Sequence, residues 1–328
     1  MTTLRSCRLP LLVVFTSLVA CRGDPLTAAG ETPEVPTFHS FAGSAWSAPE
    51  NLGAIVNSAA NEQAPTISPD GLSLYFLSNR AGGFGGNDIW ISRRDCERCP
   101  WTAPENAGAV INSSFNEGGP GFSADGHLLF FVSNRPDPSG PAAGSDIFLS
   151  RRVNPHDDAG WSAPVRLGAG VNTSDQEAGP EFVPNGEEGA GTLYFNRGLL
   201  QTSSSDIYVA SITRDGEVRE AGVLVPELSA PNANDANPSV RADGREVYFW
   251  SFGREDTVGG GDLYTATRRS VHEPWSAPVK VPPPISTEAG DIGAELSSDG
   301  RALLIVSSRV GGYGGFDLWL STRTPSGR

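Results

Sequence analysis

One motif, written five times, constrains this chain more than any other feature. Its copies are "PTISPDG" (65–71), "PGFSADG" (120–126), "PEFVPNG" (180–186), "PSVRADG" (238–244) and "AELSSDG" (294–300). Aligned on Asp70, Asp125, Asn185, Asp243 and Asp299, they stand 55, 60, 58 and 56 residues apart. An Asx residue tolerates left-handed backbone and the glycine after it has no Cβ, so each pair suits a tight hairpin. A period of this kind predicts a repeat architecture, in which each unit buries its apolar surface only against its neighbours.

After each turn comes an apolar strand: "LYFLSNR", "LLFFVSNR", "LYFNR", "VYFWSFGR" and "LLIVSSR". A third strand then opens on Asp: "DIWIS", "DIFLS", "DIYVA", "DLYTA" and "DLWLS". A fourth element precedes each unit: "WSAPENLG", "WTAPENAG", "WSAPVRLG", a degenerate "REAGVLVP" and "WSAPVKVP". Its proline marks an edge strand, because proline donates nothing to a ladder. Four short strands per unit and five units over residues 46–328 predict an all-β, five-bladed β-propeller. The phase of the repeat supports ring closure. The chain opens on a lone fourth element at Trp46 and ends after a third strand at 317–321, so the two termini complete one blade. High Gly and Pro counts (39 and 26) fit such a turn-rich fold.

These units resemble the WD40-like β-propeller repeat of TolB-like periplasmic proteins. The "SPDG" or "SADG" turn, the "SNR" or "SSR" ending the second strand, and the Asp, Ile or Leu, aromatic opening of the third carry the resemblance. It implies a propeller fold and protein contacts in the cell envelope. TolB-like proteins also carry an extra amino-terminal domain, where this chain has only a tether.

The amino terminus reads as an address. Arg5 and Arg8 precede a short apolar run, Leu9 to Ala20, that is too short to span a bilayer. It ends in "LVAC", which resembles the lipobox of bacterial lipoproteins and implies cleavage after residue 20 with lipid on Cys21. Residues 21–45 have the Pro, Thr, Ala and Gly content of a flexible tether. The expected location is the bacterial envelope, with contact to the membrane only through the lipid and the outer membrane as the favoured site. A formal charge of −14 disfavours nucleic acid and anionic lipid surfaces. In an oxidising compartment, Cys96 and Cys99 are disulfide candidates. No second CxxC or nearby His completes a zinc site around them.

Two repeated charge patterns stand out. Arg at the end of the second strand and Asp at the start of the third form five candidate structural pairs: Arg80/Asp88, Arg135/Asp146, Arg197/Asp206, Arg254/Asp262 and Arg309/Asp317. An acid precedes each innermost strand: Glu62, Glu117, Glu177, Asp235 and Asp291. On one channel rim these five would repel one another, so backbone amides or a bound Ca²⁺ are expected to offset them. The loops between second and third strands share that rim and vary in content. Two are near twins, with Phe84 and Tyr313 in double-glycine frames on neighbouring blades, and these aromatics are the ligand-binding candidates.

The chain has no G-x-S-x-G, H-E-x-x-H or P-loop motif. Its channel acids sit at equivalent positions in all five units, whereas catalysis needs carboxylates in different environments. The sequence therefore favours a non-catalytic binding or scaffold module for an envelope protein or glycan. The alternative is a carbohydrate-active enzyme resembling five-bladed glycosidases, with its site on the variable-loop face.

Overall fold

In the computed structural model, residues 41, 44–136, 144–185, 190–198, 205–213 and 215–325 are described. The leader, Cys21 and nearly all of the tether lie outside them. The described chain is all β and contains no helix that could cross a membrane.

It opens with β1 (Glu50–Asn51) and runs through five antiparallel sheets of four strands. Blade one is β2 (Glu62–Ile67), β3 (Ser73–Ser78), β4 (Asp88–Arg93) and β5 (Glu105–Asn106). Blade two is β6 (Glu117–Phe122), β7 (Leu128–Ser133), β8 (Asp146–Arg151) and β9 (Val165–Arg166). Blade three is β10 (Glu177–Pro184), β11 (Gly191–Arg197), β12 (Asp206–Ile212) and β13 (Val218–Leu224). Blade four is β14 (Asn234–Val240), β15 (Glu246–Phe252), β16 (Asp262–Thr267) and β17 (Val279–Lys280). Blade five is β18 (Asp291–Leu296), β19 (Ala302–Ser307) and β20 (Asp317–Thr322), and β1 is its fourth strand. Glu50 pairs with Leu320 and Asn51 with Trp319, so the ring closes through the two ends of the chain as expected.

Apolar second and third strands put the core between the blades. Tyr75, Ile89 and Ile91 of blade one pack on Phe122, Leu129 and Phe131 of blade two. Trp161, from the fourth element, joins them and donates its indole N–H to the Tyr75 hydroxyl at 3.1 Å. A further repeat supports these tryptophans. Arg94, Arg152, Arg268 and Arg323 lie 4.1–4.4 Å over Trp101, Trp161, Trp275 and Trp46. Each also donates to the carbonyl of the turn glycine of its blade, Gly71, Gly126, Gly244 or Gly300, at 2.6–2.8 Å. The cation–π contact and the hydrogen bond together tie the Asx-Gly turn to the outer edge. Blade three, which lacks the tryptophan, lacks this tie in its described part.

Each innermost strand carries a bulge, seen as a register shift before Thr66, Gly121, Glu181, Ser239 and Gly293. In four blades a left-handed residue makes it: Ala64, Gly119, Gly179 or Asn237, each followed by proline. These strands have a free edge on the channel, where the missing proline N–H costs nothing. One boundary is corrected. Phe41, placed in the tether by composition, is 8% exposed, seated beside Arg323 and Arg241.

Candidate functional site

The rim with the variable loops holds the acidic ring, and its chemistry differs from the expectation. Glu62 is fully buried and opens β2. It accepts from the Ser58 amide at 2.8 Å and hydroxyl at 2.7 Å, and from the Ser78 hydroxyl at 2.9 Å. Arg80 meets it at 2.9 Å and donates to the Val56 carbonyl at 2.6 Å. The arrangement recurs as Arg135–Glu117 (3.1 Å), Arg197–Glu177 (2.9 Å), Arg254–Asp235 (2.9 Å) and Arg309–Asp291 (2.7 Å). The five arginines therefore pair with the acidic ring, not with Asp88, Asp146, Asp206, Asp262 and Asp317.

Those aspartates have other work. Asp88 accepts the Phe84 amide at 2.6 Å, Asp262 that of Val258 at 2.6 Å, and Asp317 that of Tyr313 at 2.5 Å. Asp146 takes both ends of the Arg166 fork at 2.7 Å. Asp206 is raised in pKa by burial and by the charge of Asp235. The reason for the exchange is cross-strand register. Ser78 pairs with Glu62 on one side and Asp88 on the other, so Arg80 can reach either acid. Asp88 is satisfied by loop amides, whereas a buried Glu62 without a cation would be costly.

The cation site expected at Glu62, Glu117, Glu177, Asp235 and Asp291 is corrected on the same ground. Each acid has its own arginine, and among the described residues no group of three His, Cys, Asp or Glu is placed to hold a metal ion. Cys96 and Cys99 form a disulfide in the loop after β4, on the opposite rim. Phe84 and Tyr313 stand on the variable-loop rim, each 53% exposed, so neither ring folds back over its own loop.

The channel itself holds two carboxyls that the sequence reading passed over. Glu181 of blade three and Glu295 of blade five line it, together with Gln63, Pro120, Pro180 and Pro238. They occupy the inner-strand position filled by Thr66, Gly121 and Ser239 in the other blades. Glu295 accepts from the Thr66 hydroxyl at 3.0 Å, and Glu181 from the Val240 amide at 3.4 Å. Loss of solvent around Glu295 pushes it up to about 7, against the pull of its bonds to Ser239 and Thr66. Burial, then the charge of Glu295, holds Glu181 well above the usual carboxylate range. A legible signal existed: an acid at a channel-facing position where the other repeats place a small residue.

No protein-family model matches the chain, and no curated protein matches it. Solved structures do. Native Bacillus subtilis arabinanase Arb43A superposes with a TM-score of 0.53 at 14% identity, over 83% of this chain and 96% of that one. The GH43_1 enzyme from Xanthomonas citri, complexed with xylotriose, gives 0.53 at 14% identity, over 84% and 89%. A putative TolB from Agrobacterium tumefaciens gives 0.45 at 18% identity over 80% and 82%, too loose a superposition to argue from. At these identities the likeness establishes the five-bladed fold. It also corrects the functional expectation. Among the solved structures it superposes on are a family-43 glycoside hydrolase, an arabinofuranosidase and the arabinanase. The case against catalysis rested on the symmetry of the acids, and Glu181 and Glu295 break that symmetry. The expectation of a non-catalytic binding or scaffold module is therefore withdrawn.

Proposed function

We propose that this propeller is a carbohydrate-active enzyme that cleaves glycosidic bonds, with Glu181 and Glu295 as its carboxyl pair. The observation that carries the reading is that both carboxyls line one channel, at the inner-strand position that the other three blades fill with Thr66, Gly121 and Ser239. Glycoside hydrolysis needs a protonated carboxyl to deliver a proton to the leaving oxygen and an ionised one to act as base or nucleophile. Two acids in one channel with different hydrogen-bond partners are suited to that division. Burial and the charge of Glu295 favour the protonated form of Glu181, which takes the acid role. Glu295, titrating near 7, takes the other. Thr66 orients the Glu295 carboxyl through its hydroxyl. The shared fold of the arabinanase and the xylotriose-bound enzyme lends support at the level of architecture.

The test is turnover of aryl arabinofuranosides, xylosides and galactosides by the full chain. Glu295→Gln is expected to lower kcat on the substrates turned over by about 10²–10⁴-fold. Glu181→Gln should do so for nitrophenyl leaving groups and recover with dinitrophenyl ones, which leave without a proton. Near-ultraviolet circular dichroism checks the fold of each variant. Absence of turnover across the panel, or undiminished turnover in either variant, would overturn the reading.

We also place the enzyme at the bacterial envelope, tethered through Cys21. The basic leader and the "LVAC" motif support this. Labelled palmitate should enter the wild-type chain in a bacterial host and be absent from Cys21→Ala; equal labelling would dismiss the anchor.

A further inference from the structure

Tyr313 and Phe84 occupy equivalent tips on neighbouring blades, five and one. Their frames are rigid by construction. The amides of both residues are bonded to buried aspartates, Asp317 and Asp88, at 2.5 and 2.6 Å. Each loop also lies on the next blade. Gly315 donates to the Ala60 carbonyl and Gly86 to the Phe115 carbonyl, both at 3.3 Å. A Cβ at Gly314 would strike the Ala60 carbonyl, and one at Gly85 the Phe115 carbonyl, so glycine is required at both. The frames thus carry no side chain except the aromatic tip, which is 53% exposed in both. Phe115, 40% exposed, extends the same arc onto blade two. The corresponding tip of blade four is Val258, held by Asp262 in the same way. Among the described loops the aromatic tip is therefore special to blades five and one.

From this arrangement we infer a polysaccharide-binding platform on the variable-loop rim, with Tyr313 and Phe84 stacking on the flat faces of neutral sugar residues. An aromatic on a fixed backbone loses little main-chain entropy on binding, and its electron-rich face suits the C–H face of a sugar ring. The glycine frames place no charged side chain directly beside either ring. Equivalent tips repeated around an arc suit a polymer of repeated units. The chain's acidity excludes polyanionic polysaccharides. The inference deepens the enzymatic reading by naming a polymeric neutral substrate, and it rests on that reading for its role. Its test is a binding measurement that needs no turnover, so the two can fail separately.

The measurement is native affinity electrophoresis of the full chain in gels containing soluble arabinan, arabinoxylan or mixed-linkage glucan, with polygalacturonate as the charged comparison. Wild type should be retarded by at least one neutral polymer and not by polygalacturonate, and Val153→Ala, at an exposed residue on the opposite rim, should be retarded equally. Phe84→Ala/Tyr313→Ala should weaken apparent affinity about tenfold or more, from two lost stacking contacts. Phe84→Leu/Tyr313→Leu keeps apolar bulk without a flat face and should weaken it similarly, whereas Phe84→Trp/Tyr313→Trp should retain binding. No retardation of wild type by any neutral polymer, retardation by polygalacturonate, or unchanged retardation in the alanine and leucine pairs would each overturn the platform. Capture of a protein ligand by a chain that ignores all three neutral polymers would overturn it in favour of a peptide surface.

Discussion

Glu295 shows how one side chain couples stability to chemistry. Its folded pKa, about 7, lies above the ordinary value of 4.5, because burial disfavours the charge. A carboxyl raised in this way is bound more tightly to its proton in the folded state than in the unfolded one. Its stabilising contribution is complete below about pH 4.5 and disappears as pH rises to about 7. Glu181 acts in the same direction. Urea denaturation should therefore show a stability lower at pH 8 than at pH 5, by on the order of 2 kcal/mol from Glu295. Glu295→Gln keeps an acceptor for the Thr66 hydroxyl and removes the charge. It should flatten the slope and raise stability at pH 8, while abolishing the proposed turnover. A slope identical in wild type and variant would show that the titration belongs elsewhere. A destabilising charge kept at the proposed active centre would be the familiar trade between stability and function.

At the scale of elements, the repeat made the strands, their order and the phase of closure readable. Continuously apolar second strands, Asx-Gly turns and Asp-led third strands are local patterns, and propagating them round a ring needs no long-range information. What it left unread was the choice between equivalent partners. Arg80 lies two residues beyond Ser78, which faces Glu62 and Asp88 alike, and nothing in the linear order says which acid is already occupied. The answer depends on the Phe84 amide, a backbone group without a signature in sequence. The stacked Arg94, Arg152, Arg268 and Arg323 were likewise present in register, yet their targets, a tryptophan and a glycine carbonyl, come together only through the hairpin. Glu181 and Glu295 were hidden by the symmetry itself. A search for what recurs discards what occurs twice in five.

For the whole molecule the question is how a ring cut within blade five, between its third and fourth strands, stays shut. The seam repeats the bonds of the uncut blades. Asn57 caps Leu318, donating to its carbonyl at 3.0 Å and accepting its amide at 2.9 Å, as Asn112 does for Ile89. Ser47 adds an amide bond to the Thr322 carbonyl at 2.8 Å. What the seam has in addition is Phe41. Arg323 lies 3.9 Å from the Phe41 ring and 4.4 Å from the Trp46 ring, and it forms a doubled ion pair with Glu246 of blade four at 2.7 Å. Among the described residues, the matching Arg94 and Arg268 stack on their tryptophans alone, and the second ring of Arg152, Phe122, is farther off at 5.5 Å. Phe41 thus locks the strand that closes the ring to an ion pair reaching the previous blade. Phe41→Ala removes the ring and exposes a buried guanidinium–carboxylate pair to water, and should lower unfolding free energy by about 2–3 kcal/mol. Val153→Ala, at a residue 94% exposed, is the matched control and should leave it unchanged. Equal denaturation midpoints for the two variants would mean that β1 pairing alone holds the ring, and that the ordered residue before it is incidental to closure.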